Sequence, residues 1–144
     1  MKKIEGLQCI LLIDDDDATN FVHEIIIEKA GIDTHVQVAK NGYEALKFLS
    51  KKGDYSNEIK FPQPGIIFLD INMPRMNGWE FLEAYKMLPD EQKGKIVIAM
   101  LTTSLSLDDE KRANNYMGDD LREFLRKPLT VENLNDIVAK YFEQ

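Results

Sequence analysis

The sequence predicts an α/β protein built on a five-stranded, parallel, doubly wound sheet. Five short apolar runs of strand length, rich in β-branched residues, recur along the 144-residue chain. Segments with helical spacing lie between them. The runs are nearly continuous rather than alternating, as strands buried on both faces are, and strands joined through helices pair in parallel with right-handed crossovers. The length fits one domain spanning residues 1–144.

The elements follow in order. The first run, 7–13 (LQCILLI), contains the sole cysteine, Cys9, which reads as a buried core thiol, and it ends in Asp14, Asp15, Asp16 and Asp17. A helix is expected over 18–30, with Phe21, Val22, Ile25, Ile26 and Lys29 on one face and Gly31 near its C-cap. The second strand is 34–39, and a helix over 42–50 has the narrower stripe Tyr43, Leu46 and Leu49. The connection 51–64 is longer than most, which suggests a mobile loop or part of a partner surface.

The third strand, 65–69, leads into Asp70, and the helix over 78–88 carries Trp79, Leu82, Tyr85 and Met87 or Leu88 before Pro89. The fourth strand is 95–101. Ser106-Leu107-Asp108-Asp109 then looks like a capping-box start for the fourth helix. The fifth strand, 121–125, is unusually charged, and the fifth helix runs from after Thr130 to about Phe142 with Leu134, Ile137, Val138 and Tyr141 on one face.

A formal net charge of −7 argues against gripping nucleic acid through its phosphates. The N-terminal apolar stretch is short and runs into aspartates, so neither a signal peptide nor a membrane span is expected, and the cytoplasm is the expected compartment. His23 and His35 have no Cys or His partner at metal-ligand spacing, so surface or half-buried roles are expected of them rather than zinc binding.

In open parallel sheets, ligands bind at the carboxyl ends of the strands. The residues that follow the strands here are Asp14 and Asp15, Asp70, Thr102 and Lys127. Two like charges about 4 Å apart repel by roughly 4 kcal/mol at an effective dielectric near 20, so three aspartates there call for a cation. Hard oxygen donors select Mg²⁺, Mn²⁺ or Ca²⁺. An EF-hand is excluded, because counting from Asp14 puts Thr19 at the glycine position and Ile25 at the glutamate position.

These residues resemble the receiver domain of two-component response regulators, of the single-domain chemotaxis or phytochrome type. The resemblance rests on LLIDDDD, on IIFLDINMPRMNGWEFL with Pro74 and Gly78 at the expected offsets from Asp70, on IAMLTTS and on the Lys-Pro pair in FLRKPLT. It implies a flavodoxin-like (βα)5 fold with strand order 2-1-3-4-5. It also implies that Asp70 accepts a phosphoryl group from a phosphohistidine of a sensor histidine kinase or histidine phosphotransfer protein. Mg²⁺, or alternatively Mn²⁺, would be held by Asp15, by Asp14 largely through water, by Asp70 and by the backbone carbonyl of Asn72.

By the same resemblance, Thr102 would bond the transferred group, Lys127 would pair with Asp70 or a phosphoryl oxygen, and Phe124 would be the aromatic switch. Asn72 and Ser104 would tune slow autodephosphorylation. Thr103 stands where the family commonly has a smaller residue, and Phe124 lacks the hydroxyl of the frequent tyrosine. The downstream target would be a protein docking on the face of the fourth helix, fifth strand and fifth helix, with no output domain in the chain and no nucleic-acid or membrane partner.

Two other readings compete. Asp15-Asp16-Asp17-Ala18-Thr19 fits the first motif of haloacid-dehalogenase-type phosphatases, with Asp15 as nucleophile and Asp17 as general acid/base, but only Glu132 and Asp136 are available for that family's later acidic pair. The other is a receiver-like binding module that is not phosphorylated.

Overall fold

All five apolar runs become strands of one parallel sheet: β1 Cys9–Ile13, β2 His35–Ala39, β3 Ile66–Asp70, β4 Val97–Thr102 and β5 Leu121–Arg126. Their order is β2-β1-β3-β4-β5, so the order in which strands are added reverses between β1 and β3 while all strands stay parallel. The structure, a computed structural model, describes residues 1–93, 95–103, 106–118 and 120–143. The register pairs Ile13 with both Ala39 and Leu69, Asp70 with Leu101, and Thr102 with Arg126, which brings the strand ends level.

β1, β3 and β4 are buried throughout. β5 is an edge strand, buried only at Leu121 and half-buried or exposed beyond it, which accounts for its charged composition.

Among the described residues five α-helices lie between the strands and a sixth follows β5: α1 Asp17–Lys29, α2 Gly42–Leu49, α3 Gly78–Lys86, α4 Asp90–Lys93, α5 Leu107–Tyr116 and α6 Val131–Tyr141. One core, containing Phe48, Leu82 and Ala113, joins the sheet to α2, α3 and α5. The other, containing Ile27, Leu134, Ile137 and Val138, joins it to α1 and α6. The four-residue α4, just after Pro89, was not expected from the sequence, so the fourth and fifth predicted helices are α5 and α6.

Two helical faces differ from expectation. α1 buries Asn20, His23 and Ile27, whereas Phe21 is 60% exposed and Val22 42%. The inward stripe keeps helical spacing but two of its three members are polar. His23, expected at or near the surface, is therefore a buried residue. α2 turns Ala45, Phe48 and Leu49 inward and leaves Tyr43 exposed. Its small residues permit close approach, since a Cβ at Gly42 would collide with the Met76 side chain.

The connection 51–64 contains a 3-10 turn, Gly53–Tyr55, and is pinned to the core. Phe48, Tyr55 and Phe61 make three edge-to-face contacts, and the Lys51 ammonium donates to the Phe61 carbonyl at 2.7 Å. Ile59 at its tip is 96% exposed. Cys9 is buried as expected, and burial raises its thiol pKa to about 12.

Candidate functional site

The acidic turn after β1 is built by its own side chains. Asp16 caps α1, accepting the Thr19 amide at 3.1 Å as well as the Thr19 hydroxyl, and these bonds hold its carboxyl below the ordinary aspartate range. Asp17 starts the helix, where negative charge suits the dipole, and pairs with Lys40 at 2.8 Å. Asp14 is buried. Its Oδ1 accepts the Asp16 amide at 2.9 Å, its amide donates to the Ala39 carbonyl, and its carbonyl accepts from the Asn20 side chain at 2.9 Å. Asp15 is left exposed beside it.

Asp70 ends β3 and is 8% exposed. The chain then turns sharply: Arg75 adopts φ 70°, the Gly78 amide donates to the Ile71 carbonyl at 2.8 Å, and α3 begins on a capping box between Asn77 and Glu80. A Cβ at Gly78 would lie 2.6 Å from the Asp70 carbonyl oxygen, so only glycine lets α3 start this close to the strand end. That contact explains the offset between Asp70 and Gly78 noted in the sequence.

Lys127 follows β5. Its backbone amide donates to the Thr102 carbonyl at 2.7 Å, which ties the start of this loop to the end of β4. Its ammonium donates to Asp14 Oδ2 at 2.5 Å and to Asp70 Oδ1 at 3.0 Å, with all three side chains at most 10% exposed. Burial opposes the charge on Lys127, but its bonds to the two carboxylates outweigh that and hold its pKa above the usual lysine value. Burial chiefly, with Asp14 adding to it, raises the Asp70 carboxyl pKa against the opposing effect of Lys127 and the Asn72 amide.

Oxygens of Asp14, Asp15 and Asp70 lie within 4.8 Å of one another. Three carboxylates against the single ammonium of Lys127 leave two negative charges, the complement of a divalent cation with a hard-oxygen preference. Exposed Asp15 opens the group to solvent.

Thr102 is buried at the end of β4, beside this group. Thr103 is exposed, Asn72 is exposed, and Phe124 on β5 is partly buried against the α2–α3–α5 core. Ser104 lies outside the described residues.

A model of the response regulator receiver domain matches residues 10–139. The chain belongs to the response regulator receiver family. Over 100 residues, 69% of this receiver, it is 34% identical to response regulator Rcp1 of Synechocystis, and that match covers 65% of Rcp1. A crystal structure of Rcp1 in its Mn²⁺-bound form superposes with TM-score 0.73, at 27% identity over 95% of this chain and 96% of that one. A two-component response regulator from Cytophaga hutchinsonii gives TM-score 0.80 at 33% identity, covering 97% and 98% of the two chains. The phosphorylated cyanobacterial phytochrome response regulator RcpA gives 0.71 at 25% identity, covering 93% and 90%.

Signalling through phosphorylation is the function consistent with this family. The haloacid-dehalogenase reading fails on this finding and on the geometry, because Asp17 faces Lys40, and Glu132 and Asp136 stand exposed on α6. Among the described residues of this receiver, no helix is long and apolar enough to cross a membrane.

Reading by strand ends therefore finds residues that the fold brings together: Asp14, Asp15, Asp70, Thr102 and Lys127. It passes over Asn20 and His23, which touch the two loops that carry them. Asn20 bonds the Asp14 carbonyl, and His23 Nε2 accepts the Leu129 amide at 3.2 Å. Both occupy inward helix positions of α1, where a stripe judged by apolar residues alone does not look for them.

Proposed function

We propose that this receiver takes a phosphoryl group onto Asp70 from a phosphohistidine of a sensor histidine kinase or histidine phosphotransfer protein, with Mg²⁺ bound by Asp14, Asp15, Asp70 and the Asn72 carbonyl. The observation that carries the reading is the Lys127 ammonium shared between Asp14 and Asp70, with Asp15 completing the carboxylate set. The Mn²⁺-bound form of Rcp1 and the phosphorylated form of RcpA are consistent with it.

Asp70 supplies the nucleophilic oxygen. Its attack forms the P–O bond as the P–N bond of the donor breaks, and the departing imidazole takes a proton from solvent. Phosphoryl transfer asks the protein mainly for in-line positioning and for neutralisation of charge on the transferring oxygens. The bound Mg²⁺ would supply part of that neutralisation. Lys127 supplies the rest by passing a hydrogen bond from Asp70 to a phosphoryl oxygen.

The new group brings negative charge and strong acceptors to the end of β4, where the Thr102 hydroxyl can bond them. A movement of Thr102 opens space toward Phe124, whose ring lies beside a groove of about 390 Å³ lined by Ala113, Asn114 and Met117. The α5–β5–α6 face would thus shift in population between two forms and dock a downstream protein. Water attack on the acyl phosphate returns the receiver to rest by slow autodephosphorylation.

Incubation with Mg²⁺ and acetyl phosphate, followed by intact-mass measurement, tests the reading. One added phosphoryl group is expected, lost in Asp70→Ala and lost on chelation of the metal. Labelling that survives Asp70→Ala would overturn the assignment of Asp70. An absence of labelling with acetyl phosphate and with phosphohistidine donors would leave a binding module in its place.

A further inference from the structure

The buried polar side of α1 has no part in the chemistry just described, yet each of its two polar residues reaches a different loop of the site. Asn20, 4% exposed, donates from Nδ2 to the carbonyl of Asp14. His23, 2% exposed, accepts at Nε2 from the amide of Leu129. Asn20 and His23 are one turn apart on the helix, so they present to the sheet together.

The loop after β5 shows why the second bond matters. Lys127 is anchored through its own amide to Thr102 on β4. Pro128 has no amide to donate. Leu129, 1% exposed, is thus the next residue with an amide to donate, and that buried amide requires an acceptor. His23 is that acceptor, so Lys127 sits in a segment fixed at one end to β4 and at the other to α1.

Because Nε2 accepts a hydrogen bond, the neutral ring carries its proton on Nδ1. The neighbouring cleft is lined by Ala18, Val22 and Pro128 as well as by Lys127, and the ring stands at its edge. An imidazole at this depth replaces the aliphatic residue that would be cheapest for packing. Its bond to Leu129 gives it a role that an aliphatic residue could not fill.

We propose that His23 and Asn20 are positioning residues for phosphoryl transfer: α1 braces the acidic turn through Asp14 and the lysine loop through Leu129, and thereby fixes the distance between Lys127 and the carboxylates. This rests on the reading of Asp70 as phosphoacceptor. A displacement of about 1 Å at such a site can slow a reaction by up to about a hundredfold.

The test compares His23→Leu, which keeps bulk but offers no acceptor, with His23→Gln, whose side-chain carbonyl can accept the Leu129 amide. Labelling rate with acetyl phosphate at saturating Mg²⁺ and Mg²⁺ affinity are measured on folded protein. His23→Leu is expected to label about tenfold more slowly, with Mg²⁺ affinity within about twofold of wild type, and His23→Gln to recover most of the rate. Asn20→Leu, acting on the acidic turn, is expected to weaken Mg²⁺ binding as well.

Wild-type labelling on Asp70 that is unaffected by His23→Leu overturns the brace alone. A His23→Gln variant no faster than His23→Leu does the same, since it would mark a role in packing only. Absence of label on the wild-type protein overturns both this proposal and the function it rests on. Should His23→Leu fail to fold, the His23→Gln rate and the Asn20→Leu Mg²⁺ affinity decide the matter, with wild-type values for the latter counting against the brace.

Discussion

α1 and α6 pack against each other on one face of the sheet, yet they bury different chemistry. α6 turns Leu134, Ile137 and Val138 inward. α1 turns Asn20, His23 and Ile27 inward and leaves Phe21 and Val22 in solvent. Both helices begin beside a loop of the site, α1 after the acidic turn and α6 after the lysine loop at Thr130, so the difference lies in what their inward side chains meet. Asn20 and His23 of α1 bond the backbone of the two loops, at the Asp14 carbonyl and the Leu129 amide, whereas Leu134, Ile137 and Val138 of α6 join the apolar core. The inward face of one helix is shaped by what the site requires, that of its neighbour by packing.

That contrast can be broken most strongly through α6. Leu134→Ala should cost about 3 kcal/mol in denaturant unfolding, the usual range for a buried leucine, while the folded fraction labels at the wild-type rate within about twofold. A large loss of labelling in folded Leu134→Ala would erase the distinction between a packing helix and a site helix. Of nearly the same size is the effect of the metal. At a hundredfold excess over its dissociation constant, Mg²⁺ should stabilise the wild type by about 2.7 kcal/mol, and in Asp15→Asn most of that gain should vanish. An undiminished gain in Asp15→Asn would place the ion elsewhere.

A smaller effect concerns Asp70 in metal-free buffer. Its carboxyl pKa is raised in the folded protein, so protonation favours folding; that contribution is complete below the unfolded value, near about 3.9, and is lost as pH rises through the folded value. Asp70→Asn should therefore raise the Tm at neutral pH, with the gain fading as the pH falls toward the unfolded carboxyl value. A gain that instead grew toward acid pH would reverse the sign. The smallest effect sharpens the reading of α1: Phe21→Ser and Val22→Ser should each change stability by no more than about 0.5 kcal/mol, because both side chains lie in solvent. A loss of about 2 kcal/mol or more would restore the inward face that apolar spacing alone suggests.

The sequence was most legible where one force acts alone. The central strands are buried on both faces and read as continuous apolar runs, and α6 reads directly because its inward positions are all apolar. The charged run LREFLR also makes sense as the edge strand β5. Five of the residues that follow strands meet at one end of the sheet, because parallel topology places those ends together. The division of the four aspartates could be seen only in part: capping by Asp16 and the Asp17–Lys40 pair leave Asp14 and Asp15 beside Asp70, a separation that needs three dimensions.

Legibility failed where size or polarity misled. Tyr43 outweighs Ala45 in any count of apolar surface, but the close approach at Gly42 and Met76 puts the small residues inside. The long connection 51–64 looked loose because its anchors, Tyr55 and Phe61, are separated by polar residues and meet Phe48 only in the fold. The short α4 has no apolar stripe to announce it.

The most direct test of the central claim is chemical trapping of the acyl phosphate. The receiver is incubated with acetyl phosphate and Mg²⁺, reduced with borohydride, which converts an aspartyl phosphate to homoserine, and then sequenced by tandem mass spectrometry. Homoserine at position 70, and its loss when Mg²⁺ is chelated, is the predicted result; homoserine at position 15, or at no position in a protein that carries the phosphoryl group, would contradict it.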